Sequence, residues 1–348
     1  MLDKLDVSGY ENVVRVRDSD SGLDAVIAVH STRLGPAAGG VRMRVYPDFK
    51  DALDDALRLS RAMTFKNAAA DLPLGGGKSV ILGEPAYDKT PERLRAFARA
   101  VEALGGAYWA AEDMGVGPDD MAIMSCETKY VAGLPSGSFA GGDPSPATAR
   151  GVFDAMRVAL RHQRGSSSIA GLTVAVQGLG HVGASLCSLL HEAGARLVVT
   201  DVNARAIEAV SGQLGCELAD VHGILEADAD IVAPCAIGGV LTPSSVARLR
   251  ADLVVGAANN QLSDPDVAWD LHRRGILYAP DYVANGGGII NVAAEILQVG
   301  NRSAWISEKL EGLVATLDEV FLSASREGVP PSHIADRLVM SRISATTN

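Results

Sequence analysis

Two lysines bracket one unusual stretch of this chain, Lys66 to Lys78, which reads K-N-A-A-A-D-L-P-L-G-G-G-K. Small and apolar residues fill the interval. Gly75, Gly76 and Gly77 remove every side chain beside the second ammonium, so a small molecule or another backbone can approach it closely. The strand-like Ser79-Val80-Ile81-Leu82 that follows places Lys78 at a strand edge. The competing reading is two solvated lysines beside a turn, and the apolar flanks argue against it. A carboxylate is the second candidate. The strand expected over Ala107 to Ala111 ends at Glu112-Asp113-Met114-Gly115-Val116-Gly117, and an acid before a glycine-rich turn at a strand end is a common place for chemistry in α/β folds. For Asp113 the alternative is a turn residue bonding its own backbone. The glycine-lysine pair is not a nucleotide-hydrolase phosphate loop, because that motif needs glycine where this chain has Leu72.

The best-specified motif lies in the second half. Gly171 to Gln177 is a buried strand, and Gly178-Leu179-Gly180-His181-Val182-Gly183 then opens a helix through Leu190. This is G-x-G-x-x-G in its strand-turn-helix setting. Gly178 makes the turn, Gly180 lets the backbone reach a pyrophosphate, Gly183 packs the helix on the sheet, and the helix N-terminus attracts the phosphates. A second strand, Arg196 to Thr200, ends at Asp201 and Val202, where an acid can hold the adenosine ribose 2′-hydroxyl. With no arginine immediately after it, Asp201 favours NAD over NADP, whose 2′-phosphate would meet a like charge.

The elements that must position these residues are α/β throughout. Strands are expected at Val13 to Val16, Ala25 to His30 and Val41 to Val45, and a helix from Asp51 to Met63 delivers the chain to Lys66. Thr90-Pro91-Glu92 caps and starts another helix. Strands at 231–233, 253–255 and 276–278, with helices between them, make the second half an open, mostly parallel sheet. The Gly/Pro/Ser-rich run from Gly133 to Pro144 is the most linker-like in the chain. The expected division is 1–135, 136–330 and a terminal segment 331–348.

Composition bounds the function. A chain of 348 residues with 47% hydrophobic and 21% charged residues suggests about two domains with proper cores. A formal net charge of −11 argues against nucleic-acid or anionic-membrane binding. No uncharged run reaches the ~20 residues of a membrane span, and the N-terminus lacks the pattern of a signal peptide, so a cytoplasmic location is expected. The four cysteines form no C-x-x-C pair and the seven histidines no ligand spacing with them, so no metal site is expected.

Taken together, L-G-G-G-K, A-E-D-M-G-V-G, G-D-P-S-P-A-T-A-R-G-V, Q-G-L-G-H-V-G, A-P-C-A and G-A-A-N-N-Q resemble the glutamate, leucine, valine and phenylalanine dehydrogenases, in order and over nearly the whole chain. The resemblance implies an N-terminal α/β substrate domain, a doubly wound Rossmann domain and a cleft between them. It also implies a C-terminal helix (about Pro331 to Ile343) returning to the first domain, and a homo-oligomer. The reaction it implies is reversible oxidative deamination of an L-amino acid to a 2-oxo acid and ammonia with NAD. By that resemblance Lys66 pairs with the substrate carboxylate, Lys78 is the catalytic lysine, and Asp113 exchanges protons with the substrate nitrogen. Asn260 contacts substrate and cofactor, Asn259 is its neighbour on the cofactor side, and Thr148 holds the nicotinamide amide; for Thr148 and Asn260 a turn or cap hydrogen bond is the alternative. Two ammoniums in a desolvated site disfavour each other's charge, so Lys78 can lose its proton near neutrality.

Substrate class follows from the same resemblance. Glutamate-specific relatives carry a lysine before the glycine pair of a K-G-G-x-R segment, which here reads Ala38-Gly39-Gly40-Val41-Arg42. A serine that also serves glutamate falls at the apolar Val292. A buried glutamate side chain would have no partner. Ala111 and Val292 look like the leucine-type enzymes, whereas Ala38 is smaller than their counterpart, with Ile289 available to fill space. Branched aliphatic amino acids are the expected substrates and aromatic ones the alternative. A silent NAD-binding regulatory protein is the third reading, and Lys66, Lys78 and Asp113 together argue against it.

Overall fold

The computed structural model describes residues 2–345. Its contacts divide the chain into two compact units. The first gathers the described residues of Met1–Pro144, Ile289–Ile306 and Val339–Asn348, and the second Ser145–Gly288 and Ser307–Leu338. The chain therefore re-enters the first unit at Ile289, within a helix, and again only at Val339, so the first half of the terminal segment expected from 331 onward stays with the second unit. An apolar helix sequence carries no mark of which core it will join.

The first unit is built on a six-stranded mixed sheet of β1 (Leu2–Leu5), β2 (Asn12–Asp18), β3 (Leu23–Ser31), β4 (Ala37–Arg44), β5 (Gly75–Leu82) and β6 (Tyr108–Glu112). The spatial order is β1-β2-β3-β5-β4-β6. Neighbours from β1 to β5 run antiparallel, and β4 runs parallel to both β5 and β6. Helix α1 (Phe49–Ala69) starts at Asp48, whose side chain accepts from the Asp51 amide. It buries Ala52 and Ala56 against Val13, Val26, Ala28 and Val80 on one sheet face. The helices Pro91–Ala103 and Pro118–Met124 cover the other face, where Phe97, Val101, Met121 and Met124 meet Ile27, Val41, Met43 and Ile81.

The strand carrying the second lysine begins earlier than its apolar residues suggest. All three glycines lie inside β5, so Lys78 stands in mid-strand rather than at a strand edge. The reason is packing on both faces. A Cβ at Gly76 would lie 2.1 Å from the Thr64 amide of α1, and one at Gly77 would lie 2.6 Å from the Tyr108 ring. Strand alternation then puts Gly76, Lys78 and Val80 on the α1 face. Similarly α1 extends to Ala69, so Lys66 belongs to its last turn. The carbonyl end of α1 is closed by Arg342, which donates to Ala68 O at 3.0 Å and Ala69 O at 2.9 Å. Glu295 ties the returning segment down, accepting the Gly133, Leu134 and Gly141 amides at 2.9, 3.1 and 2.9 Å.

The second unit is a six-stranded parallel sheet of β7 (Thr173–Gln177), β8 (Arg196–Thr200), β9 (Glu217–Leu218), β10 (Ile231–Pro234), β11 (Leu253–Val254) and β12 (Leu277–Tyr278). The order β12-β11-β10-β7-β8-β9 reverses direction between β7 and β10. That reversal leaves a crevice at the carboxyl ends of the strands, as in doubly wound dinucleotide folds. The short edge strands β1 and β9 escape the sequence reading because neither has a run of apolar residues; pairing with β2 and β8 defines them. Among the described residues no helix is long and apolar enough to cross a membrane.

The glycine packing is testable. Gly76→Ala is expected to destabilise the protein by about 3 kcal/mol or more through overpacking against α1. Gly312→Ala should have the opposite sign. It lies in the helix Arg302–Glu327 with open space at its Cβ position, so about 0.5–1 kcal/mol of stabilisation is expected. Denaturant unfolding of both variants checks the pair.

Candidate active site

Lys78 and Asp113 arrive from two strands. Lys78 comes from the middle of β5, and Asp113 follows β6 in a tight turn that it closes with Val116 through two backbone hydrogen bonds, at 3.2 and 2.9 Å. Gly115 has φ +81°, and a Cβ there would lie 2.2 Å from Met43 O, so glycine is required. The backbone makes the turn, which leaves the Asp113 side chain available. Its Oδ2 accepts from Lys78 Nζ at 2.7 Å. Gly40 on the intervening strand makes this possible, because a Cβ there would sit 2.6 Å from Asp113 Cβ and 2.9 Å from Lys78 Nζ.

Lys78 is only 5% exposed. Burial pushes its ammonium below the ordinary lysine range; Asp113 resists that shift and the Arg42 guanidinium adds to it. Burial also opposes ionisation of Asp113, but Lys78 and Arg42 outweigh it and hold the carboxyl well below the usual carboxylate range. The pair therefore joins a firmly ionised acid to an amine whose proton is loosely held.

Arg42 is the member of this cluster that the sequence reading did not assign. Its Nε donates to Asp113 Oδ2 at 2.9 Å and its Nη1 to Asp55 Oδ2 at 3.0 Å. Asp55 also accepts from Tyr46 Oη at 2.6 Å and Arg58 Nη2 at 2.7 Å. The signal was in β4, where residues 40 and 42 share a face. Of the remaining candidates, Ala38, Gly39 and Gly40 lie in β4, and Ala111 pairs with Gly40 across to β6. Lys66 is half-buried on α1. Ile289 and Val292 lie in the helix Gly287–Ile296. Ala38, Ala111, Ile289 and Val292 are all at most 7% exposed.

In the second unit the glycine motif has the geometry a dinucleotide needs. Gly178 has φ +96°, and a Cβ at Gly183 would lie 2.0 Å from Gly178 O, so the helix His181–Glu192 sits directly against the turn. Gly180 is the N-cap, no side chain caps this end, and open space lies beyond its Cβ position. Asp201 Oδ2 accepts the Leu179 amide at 2.6 Å and Oδ1 the Asn203 amide at 2.7 Å. Each oxygen keeps a lone pair for a ribose hydroxyl. His181 and Val182 follow Gly180 in the first turn of that helix, and Val202 is exposed beside Asp201. These residues fit a pyridine dinucleotide.

Thr148 lies in the first turn of the helix Ser145–Arg164. A Cβ at Gly287 would come within 2.0 Å of Ala147 O, so that turn is pinned by close backbone contact. Asn260 takes a left-handed conformation, φ +51°, and its carbonyl accepts the Gly239 amide at 2.7 Å. The loop around it is braced by Gln261, whose Nε2 donates to Gly256 O and Ala258 O, and by Asn285, whose Nδ2 donates to Ala257 O and Asn259 Oδ1. Sequence reasoning missed Asn285, which stands in a segment of glycines and apolar residues. Among the described residues no group of three or more potential metal ligands occurs.

Comparison with known proteins agrees with this fold. Residues 10–130 match the model of the Glu/Leu/Phe/Val dehydrogenase dimerisation domain, and residues 142–209 and 199–329 that of the glutamate/leucine/phenylalanine/valine dehydrogenases. Leucine dehydrogenase of Bacillus subtilis (strain 168) is 45% identical over 334 residues, covering 96% of this chain and 91% of its own. Phenylalanine dehydrogenase of Lysinibacillus sphaericus is 41% identical, with 95% and 88% covered. The crystal structure of L-tryptophan dehydrogenase from Nostoc punctiforme superposes with a TM-score of 0.82 at 39% identity, covering 98% of this chain and 97% of that one. The chain belongs to the glutamate/leucine/phenylalanine/valine dehydrogenase family and is an amino-acid dehydrogenase. The chemistry of this family depends on a pyridine nucleotide.

Gly40→Ala tests the ion-pair geometry. The added methyl must displace Asp113 or Lys78, and kcat/KM for the amino-acid substrate is expected to fall by about 100-fold or more. Binding of the reduced cofactor, followed by fluorescence, should be retained.

Proposed function

We propose that this protein catalyses the NAD-dependent, reversible oxidative deamination of an apolar L-amino acid to its 2-oxo acid and ammonia, with leucine, valine and isoleucine preferred. The observation that carries the reaction is the buried Lys78–Asp113 pair at 2.7 Å. The apolar, buried Ala38, Ala111, Ile289 and Val292 support the substrate class, because none of them would pair with a charged side chain. The relatives' names, leucine, phenylalanine and L-tryptophan dehydrogenase, point the same way. Aromatic substrates are the second reading, favoured by the small Ala38.

In the proposed mechanism Lys66 pairs with the substrate α-carboxylate. Gly39 and Gly40 leave room beside it. Asp113 takes a proton from the substrate ammonium, so the nitrogen lone pair is free when hydride leaves the α-carbon. Bound nicotinamide would supply the hydride acceptor, held by Thr148, by the turn from Gly178 to Gly183 and by Asp201 with Val202 alongside, with Asn260 contacting substrate and cofactor and Asn259 its neighbour on the cofactor side. Neutral Lys78 then activates the water that attacks the iminium carbon. Asp113 returns a proton to the departing nitrogen, and ammonia and the 2-oxo acid are released. Asp201 supports NAD over NADP, since a 2′-phosphate would approach a carboxylate. A homo-oligomer is proposed from the dimerisation-domain match.

A substrate panel with NAD, following reduced cofactor for leucine, valine, isoleucine, phenylalanine, tryptophan and glutamate, tests this reading. Turnover should be fastest on the branched aliphatics and negligible on glutamate; fastest turnover on phenylalanine or tryptophan would establish the second reading. Silence on every amino acid would remove the proposal. Lys78→Ala is expected to lose about 10³-fold or more in kcat while still binding reduced cofactor.

The pH dependence follows from the direction of the lysine shift. Because the Lys78 ammonium lies below its ordinary value, neutral amine accumulates as pH rises through a value under about 10.4. The kcat/KM for deamination should therefore rise with pH through an ionisation below that value. A profile that rises only above it would contradict the assignment.

A further inference from the structure

The cluster around Asp113 is more selective than an ion pair requires. Both cations that reach it use the same oxygen: Lys78 Nζ is 2.7 Å and Arg42 Nε 2.9 Å from Oδ2. Among the described residues no side chain or backbone amide bonds Oδ1, and the carboxylate is 24% exposed. Arg42 holds this arrangement because its other arm is anchored. Its Nη1 meets Asp55 Oδ2 at 3.0 Å, and that oxygen also accepts from Tyr46 Oη at 2.6 Å, while Asp55 Oδ1 accepts from Arg58 at 2.7 Å. The Tyr46 hydroxyl stays protonated, because burial and then its bond to Asp55 raise it above the ordinary tyrosine range. Arg42 and Asp55 are mostly buried, with side chains 14% and 12% exposed. A guanidinium suits this role, since its planar fork meets two carboxylates at fixed angles where an ammonium cannot.

We infer that Arg42, fixed by Asp55 and Tyr46, is a positioning residue that saturates Oδ2 of Asp113 and presents Oδ1 as the oxygen that exchanges the proton with the substrate nitrogen. The inference rests on the proposed deamination by Lys78 and Asp113. Arg42 has a second effect on the same reaction, because its charge disfavours a proton on Lys78. The groups facing Lys78 can be named element by element. β4 brings Arg42, the turn after β6 brings Asp113, and α1 brings Asp55. β3 places Ala28 opposite Lys78 and carries His30, whose ring bonds Thr64 at 2.8 Å. Geometry and charge are therefore separable. Arg42→Lys keeps the charge and loses the fork, whereas Arg42→Gln loses both.

The test is the pH profile of deamination for the full-length wild type, Arg42→Lys, Arg42→Gln and Tyr46→Phe, with cofactor binding and thermal unfolding as controls of folding. Arg42→Gln is expected to raise the controlling midpoint by about one pH unit, as loss of a nearby like charge does. It should also lower kcat by about 100-fold, with KM for the amino acid changed far less. Arg42→Lys should keep the wild-type midpoint while losing about tenfold or more in kcat. Tyr46→Phe should retain the midpoint and lose a few-fold in kcat. It decides the question if the Arg42 variants fail to fold, because a wild-type kcat in Tyr46→Phe would then overturn the inference. Equal, wild-type midpoints in folded Arg42→Gln and Arg42→Lys would also overturn it, reducing Arg42 to a packing residue. An inactive wild type is a different failure, that of the underlying reaction.

Discussion

A lysine ammonium placed in the middle of a central strand must find a carboxylate within hydrogen-bond distance, or surrender its proton. In this protein Asp113 meets that demand at 2.7 Å, and much of the first unit follows from making the meeting possible. Gly40 must have no side chain, or the pair could not close across β4. Gly115 must adopt a positive φ, or the turn after β6 would not aim the carboxylate. Gly76 and Gly77 must be bare so that α1 and Tyr108 can press on both faces of the strand that carries Lys78. Breaking such a pair by removing one partner costs about 3–5 kcal/mol, because the other charge is left buried. The site and the stability of the sheet are thus coupled through the same few positions.

The glycines of the two units solve different problems. In β5 they are places where neighbouring backbone and rings come too close for a Cβ. In the turn from Gly178 to Gly183 two glycines do similar packing work, while Gly180 faces open space at a helix N-terminus without a side-chain cap. Only the latter has the geometry of a phosphate cradle. Their three-dimensional neighbours, rather than their number or adjacency, separate the two uses.

Much of this was legible in the chain itself. The strand-turn-helix motif ending at Asp201 was readable because the dinucleotide fold needs those residue types within a short, contiguous span. The strands of both sheets were visible wherever apolar residues alternate or run together. β1 and β9 were not, because pairing alone defines them. Lys78 was read at a strand edge because glycines lower strand propensity, and packing from both faces overrides that preference here. Arg42 was passed over as one residue of a segment with a missing lysine. Its partners Asp55 and Asp113 are 13 and 71 positions away, and no local pattern links them.

The sequence by itself pointed to the reaction class, through motifs that together resemble those of the glutamate, leucine, valine and phenylalanine dehydrogenases. It also makes Ala38, Ala111, Ile289 and Val292 apolar, with alanine at the position where the resemblance to glutamate-specific relatives implies a lysine. Tertiary structure decided which groups act together. It put Gly40 beneath the ion pair, gave Arg42 two carboxylates to bridge, and returned Ile289 and Val292 to the first unit from the far end of the chain. These are long-range contacts between elements that each look ordinary alone. Their outcome depends on strand order and register, which residue spacing along the chain does not encode locally.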